Sequence, residues 1–143
     1  MDPFDGEIPH YYGMYLLDTL QAYTDAEKAF KQAVKVNPNL GGYPFLLGLL
    51  YSRNMDNLIY AIKQLKLGAK TDGSDPDYHR YLSMLFLSLG DAQLALKYAD
   101  KAIAFNVHSA DEIDARANVL VYMRQTDKAL KLINDCLDNP DTV

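Results

Sequence analysis

The side chains best able to carry chemistry in this sequence are three histidines, one cysteine and several closely spaced aspartates. His10, His79 and His108 lie 69 and 29 residues apart, with no His-Glu-x-x-His pair and no cysteine cluster. The ligand spacing that holds zinc is therefore missing, and the three read as satisfied or exposed histidines. Asp72, Asp75 and Asp77 begin like a calcium loop, but Asp77 occupies the sixth position, where glycine is needed, and Ser83 the twelfth, where glutamate is needed. This run reads as a solvated turn. No Gly-Lys-Ser/Thr follows Gly41-Gly42 or Gly48, so these read as turn and packing glycines, with no phosphate loop. Cys136 stands beside Asp135 and Asp138, whose charges disfavour a thiolate. The sequence thus points to a chain that is not an enzyme and carries no cofactor or metal.

Without a reaction to position, the elements themselves become informative. A chain of 143 residues, 49% apolar and 23% charged, is long enough for one domain with a real core and too apolar to be disordered throughout. Fourteen basic against nineteen acidic residues give a net charge of −5, the wrong sign for a surface that neutralises phosphates, so no nucleic-acid partner is expected. The single cysteine excludes an intrachain disulfide framework and is compatible with a reducing compartment. Apolar stretches such as Tyr43 to Tyr51 are about half the roughly 20 residues that cross a bilayer, and the acidic N-terminus lacks the basic start of a signal peptide. No membrane insertion and a cytoplasmic location are the expectations.

Self-comparison organises the chain. Small residues recur at Ala26, Ala61, Ala95 and Ala129, and again at Ala33, Gly68, Ala102 and Cys136, both series at spacings of 35, 34 and 34. A mostly apolar series, Phe30, Leu65, Ala99 and Ile133, lies between them, and a bulky series, Leu17, Tyr51, Phe86 and Leu120, lies ahead. Four repeats, 7–40, 41–75, 76–109 and 110–143, fill the chain after its first six residues and define a single domain. Each splits into two segments of helical apolar spacing, for example Leu82, Leu85, Phe86 and Leu89, then Leu94, Ala95, Tyr98, Ala102 and Phe105. Each repeat is therefore predicted to be a helical hairpin, and the fold all-α.

The punctuation supports these boundaries. Asp75-Pro76 places a capping residue before a first-turn proline, while Thr24 with Glu27 and Ser109 with Glu112 have capping-box spacing. Asn37-Pro38-Asn39 and Asp72-Gly73-Ser74-Asp75 are turn chemistry between repeats, and Gly90-Asp91 marks the turn inside the third.

On these residues the chain resembles tetratricopeptide repeats. In the third repeat Leu82, Phe86, Gly90, Asp91, Ala95 and Ala102 match the family's preferred types, as do Ala26, Phe30, Ala33 and Pro38 in the first. His10, Pro44, His79 and Ile113 stand where the family favours tryptophan, Gly68 and Cys136 replace alanine, and the second repeat carries one extra residue. The resemblance implies a right-handed superhelical solenoid whose concave side, lined by the first helix of each hairpin, binds a protein or peptide. It places Tyr11, Tyr15, Phe45, Leu49, Arg80, Met84, Leu87, Asn118 and Val121 along that groove, with Asp77, Asp111 and Asp114 nearby. Helical stripes of this kind also build cores, so groove and core are both open for each residue. Tyr12 extends the tyrosine patch of Tyr11 and Tyr15, which suits an interface as well as a core.

Family members that clamp a C-terminal carboxylate use lysines, arginine and asparagines; here only Arg80 and Asn118 are offered among acids, which disfavours such a clamp. An apolar groove with an acidic rim suits a segment with apolar anchors and some basic residues, and resembles the tetratricopeptide chaperones of type III secretion translocators. An adaptor or chaperone is the leading expectation, a scaffold subunit the alternative. RNA binding by related helical repeats meets the opposing charge. The fourth repeat runs almost to Val143, so the face carrying Leu130, Ile133 and Leu137 is expected to be an end interface, through which the chain could form a homo-oligomer.

Overall fold

The structure, a computed structural model, describes residues 7–38, 40, 42–105 and 109–138. Asn39, Gly41 and His108, named above, lie outside the described residues. Among those described, eight α-helices form and no strand: α1 Glu7–Asp18, α2 Tyr23–Val36, α3 Gly42–Arg53, α4 Leu58–Thr71, α5 Pro76–Ser88, α6 Ala92–Phe105, α7 Ala110–Tyr122 and α8 Thr126–Leu137. Successive helices pair as hairpins, α1 with α2, α3 with α4, α5 with α6 and α7 with α8. The all-helical hairpin architecture is the one the repeat predicts. No described helix is long and apolar enough to cross a membrane.

The chain forms two compact units, Met1–Gly73 and Ser74–Val143. In unit 1, α2 packs against α3; in unit 2, α7 packs against both α6 and α5. Helix starts recur at 35, 34 and 34 residues, from Glu7 through Gly42 and Pro76 to Ala110. The additional residue therefore falls in the link between Val36 and Gly42, ahead of α3, and not inside the second hairpin.

The spaced small residues are where the helices touch. Ala26, Ala61 and Ala95 are fully buried, and Ala129 nearly so. In unit 1 an added Cβ on Gly13 would stand 2.7 Å from the Phe30 ring, and one on Gly48 2.9 Å from Leu65 Cγ. Absence of a side chain on α1 and α3 is thus what admits the bulky residues of α2 and α4. In unit 2, Tyr78, Leu82 and Phe86 of α5 are buried, as are Ala95, Ala99 and Ala102 of α6. Ala117 and Leu120 of α7 join Ala129 in a cluster flanked by Leu96 and Leu132.

Some expectations yield to tertiary context. Asp75 caps α5 as expected, accepting from Asp77 N–H at 2.9 Å, with Pro76 in the first turn. Thr24, in contrast, lies inside α2, whose N-cap is Ala22, and Glu27 accepts instead from Tyr51 Oη at 2.6 Å and pairs with Lys31. Ser109 does cap α7 by position but makes no side-chain cap bond, and the Glu112 side chain approaches Arg80 on α5. Leu89 and Phe105, placed on apolar helical stripes, are half-exposed at 51% and 48%; Leu89 is already the C-cap of α5. Ile133 departs from its buried counterparts Phe30, Leu65 and Ala99.

Candidate functional site

Of the groove candidates, Tyr11, Tyr15, Phe45 and Leu49 belong to unit 1, and Arg80, Met84, Leu87, Asn118 and Val121 to unit 2. Unit 2 brings four of its five together. Helices α5 and α7 flank a cleft of about 300 Å³ lined by Arg80, Ser83, Met84, Leu87 and Ser88 from one side and Asp111, Asp114, Ala115 and Asn118 from the other. Spacing of three and four residues on α5 puts Arg80, Met84 and Leu87 on one face, and the same rule aligns Asp111, Asp114 and Asn118 on α7. Met84 is 49% exposed while its neighbour Leu85 is buried, so the stripe facing the cleft is separate from the one forming the core. Val121, half-exposed, is not part of the cleft wall.

The polar groups of the cleft are unevenly satisfied. Arg80 donates to Asp77 Oδ1 from Nη2 at 2.6 Å and from Nε at 3.2 Å, and Glu112 Oε1 stands 4.0 Å from the same Nε. Burial alone would lower the Arg80 pKa; the hydrogen bonds to Asp77, with the charges of Asp77 and Asp111, hold it above the ordinary value. Asn118 Nδ2 donates to Asp114 Oδ2 at 3.0 Å. Ser83, fully buried, spends its hydroxyl on Ala95 C=O at 2.9 Å, tying α5 to α6 at the back of the cleft. Glu112 is the neighbour of Arg80 that the spacing hid. Its capping-box position masks a cross-helix approach to Arg80, a partner on another helix that no local pattern announces.

In unit 1 the candidates are more dispersed. Tyr11 and Tyr15 are exposed on α1, at 67% and 51%, while Phe45 and Leu49 are half-buried on α3. Leu49 lines a hollow of about 450 Å³ with Met14, Leu17, Leu46 and Arg53, among others, and neither Tyr11, Tyr15 nor Phe45 joins it. Tyr12 instead lines a second hollow, of about 440 Å³, with Ile8, Pro9 and Ala29 of the first hairpin. On α8, Leu130, Ile133 and Leu137 are exposed, at 54%, 39% and 68%.

The histidines play packing roles. The His10 ring stands 5.1 Å from both the Tyr11 and Tyr43 rings, and His79 stacks on Phe105 at 5.6 Å and approaches Tyr98 at 6.0 Å. Both Nδ1 atoms are buried without a hydrogen-bond partner among the described residues. Both histidines sit at the same repeat position, where Pro44 and Ile113 stand in the other repeats, and both face aromatic rings. Cys136 is a free thiol, half-buried on α8. Among the described residues no group of three or more His, Cys, Asp or Glu could hold a metal ion.

No family model matches the chain, and no curated protein matches it. Solved structures do. A crystal structure of MamA superposes with a TM-score of 0.83 at 18% identity, covering 98% of this chain and 81% of that one. MamA from residue 41 onward, from Desulfovibrio magneticus RS-1, gives 0.81 at 14% identity, covering 99% and 78%. The fold of this chain is similar to that of MamA, a tetratricopeptide-like arrangement of helical hairpins.

Proposed function

We propose that the chain is a non-enzymatic protein-interaction module, an adaptor or chaperone, that holds a peptide segment of a partner in the cleft between α5 and α7. The observation that carries this reading is the exposure of Met84, beside Leu87, on a wall of the cleft. Such a wall gains by being covered, at roughly 25 cal/mol per Å² of apolar surface removed from water. Tetratricopeptide-like folds offer such surfaces widely, but fold alone does not assign function, so the cleft is the basis of the proposal. A Met84→Asp variant is expected to stay folded, since a substitution at so exposed a position changes stability by about 0.5 kcal/mol. Affinity capture from the source lysate, compared between wild type and this variant, tests the reading. Loss of a discrete partner by the folded variant supports it, and an unchanged set of partners refutes it.

A second reading, a scaffold or self-associating subunit, is favoured by the apolar stripe Leu130, Ile133 and Leu137. Leu130 lies 34 residues after Leu96, which packs against the cluster of Ala117, Leu120 and Ala129. The stripe is thus the repeat counterpart of a surface that another helix covers in unit 2.

A further inference from the structure

The cleft between α5 and α7 is more selective than an apolar wall alone would make it. Arg80 enters it already engaged, bonded to Asp77 at 2.6 and 3.2 Å and 4.0 Å from Glu112. The carboxylates opposite are not neutralised in the same way. Asp114 accepts one hydrogen bond, from Asn118 at 3.0 Å, and Asp111 interacts with Arg80 through charge alone, with no hydrogen-bond partner among the described residues. Glu112, with its side chain only 4% exposed, leaves Oε2 without a partner among the described residues. In this corner of unit 2 one guanidinium stands against four carboxylates, beside a wall of Met84 and Leu87.

We infer that the segment held in this cleft is basic: a lysine or arginine places its positive end between Asp111 and Asp114 and lays its aliphatic stem, or an adjoining apolar side chain, on Met84 and Leu87. This rests on the peptide-binding reading above and adds to it the sign of the partner's charge and its register in the cleft. Two carboxylates three residues apart on one helix lie about 5–6 Å from each other at Cβ, within reach of a single cation. Long cationic side chains suit the site, since the stem covers apolar surface while the head stays at the polar rim. A neutral segment would leave the acids uncompensated, and an acidic one would meet like charge. Arg80 gives its Nε and one Nη2 donor to Asp77, and the four carboxylates around it oppose an incoming carboxylate by like charge.

The test uses the full chain with three fluorescein-labelled peptides of equal length, each with two leucines in a glycine–serine background and carrying two lysines, two glutamines or two glutamates. Fluorescence anisotropy reads affinity, and the carbon-13 methyl resonance of Met84 reads the site. At low salt the lysine peptide is expected to shift the Met84 resonance and to bind tighter than the glutamine peptide, by about fivefold per exposed ion pair. That preference should shrink as salt rises toward ~1 M, where the screening length falls to about 3 Å. Asp111→Asn/Asp114→Asn should abolish the preference, leaving lysine and glutamine peptides equal in affinity, while Asp127→Asn/Asp138→Asn, the same charge change at the two ends of α8, should retain it. Equal binding of lysine and glutamine peptides, both shifting Met84, would overturn the cation seat and leave the apolar cleft standing. Absence of any Met84 shift with all three peptides would overturn both readings. Equal weakening by the two variant pairs would also overturn the cation seat, by showing diffuse attraction to an acidic protein.

Discussion

His10 and His79 occupy equivalent repeat positions and serve as aromatic packing groups with a titratable ring. Burial holds both imidazoles below the ordinary value of 6.5, with Glu7 pulling His10 slightly back up and Lys101 lowering His79 further. Well above pH 6.5 both rings are neutral whether the chain is folded or not, so they leave stability unchanged there. Below it the unfolded chain takes up protons before the folded one does, and stability is lost as the pH falls from the unfolded pKa through the depressed folded values. Glu27, lowered by its bonds to Lys31 and Tyr51, contributes stability that is lost only further down, below 4.5. The thermal midpoint is therefore expected to fall between about pH 7 and pH 5.5, and to fall less in a His10→Phe/His79→Phe protein, as calorimetry over that range can check. The sequence located these histidines at a position of aromatic preference but not their unpartnered nitrogens. Which groups surround a ring depends on helices far apart in the chain, such as α1 and α3 around His10.

Every hairpin turns through one residue in the left-handed region at the same repeat position: Gln21 at φ 50°, Asp56 at 47°, Gly90 at 81° and Arg124 at 62°. In unit 2 this residue allows a bond from the next N–H back to the fifth residue before it, Asp91 to Phe86 C=O and Gln125 to Leu120 C=O, each at 2.8–2.9 Å. Gly90 is the type best suited to that conformation, with Asp56 next, and only the Gly90-Asp91 turn was announced by its own residue. At the other three positions the hairpin imposes a conformation worth roughly 1–2 kcal/mol of strain on a residue with a side chain. Arg124→Gly is therefore expected to stabilise the protein by about 0.5–1 kcal/mol after the entropic cost of glycine, raising the midpoint by about 2–4 °C. Gly90→Ala should lower it by a similar amount. An added Cβ there meets nothing closer than Tyr122 Oη at 3.8 Å, so that substitution reports backbone conformation alone. Opposite shifts in thermal denaturation are the expected result, and equal midpoints would show that the turn tolerates either residue.

At the scale of the whole molecule, the exposed stripe of Leu130, Ile133 and Leu137 raises the question of self-association. If the second reading holds, light scattering should show a mass that rises with protein concentration, and Leu130→Asp/Leu137→Asp should abolish the rise without shifting the thermal midpoint. A constant mass for the wild-type chain would remove that reading. The repeat itself was legible because periodicity in small residues is a local, translational signal: Ala26, Ala61, Ala95 and Ala129 must all be small if paired helices are to touch, and all are buried. Helix number, pairing and class followed from that series and from turn residues such as Asp75-Pro76 and Gly90-Asp91. Only the tertiary structure decided which apolar residues leave the core, separating exposed Met84 from buried Leu85, and which charges meet, turning Glu112 from a local cap toward Arg80. The physical reason is the same in both cases. Helical spacing puts a residue on a face, but exposure and ion pairing depend on what the neighbouring helix places opposite that face.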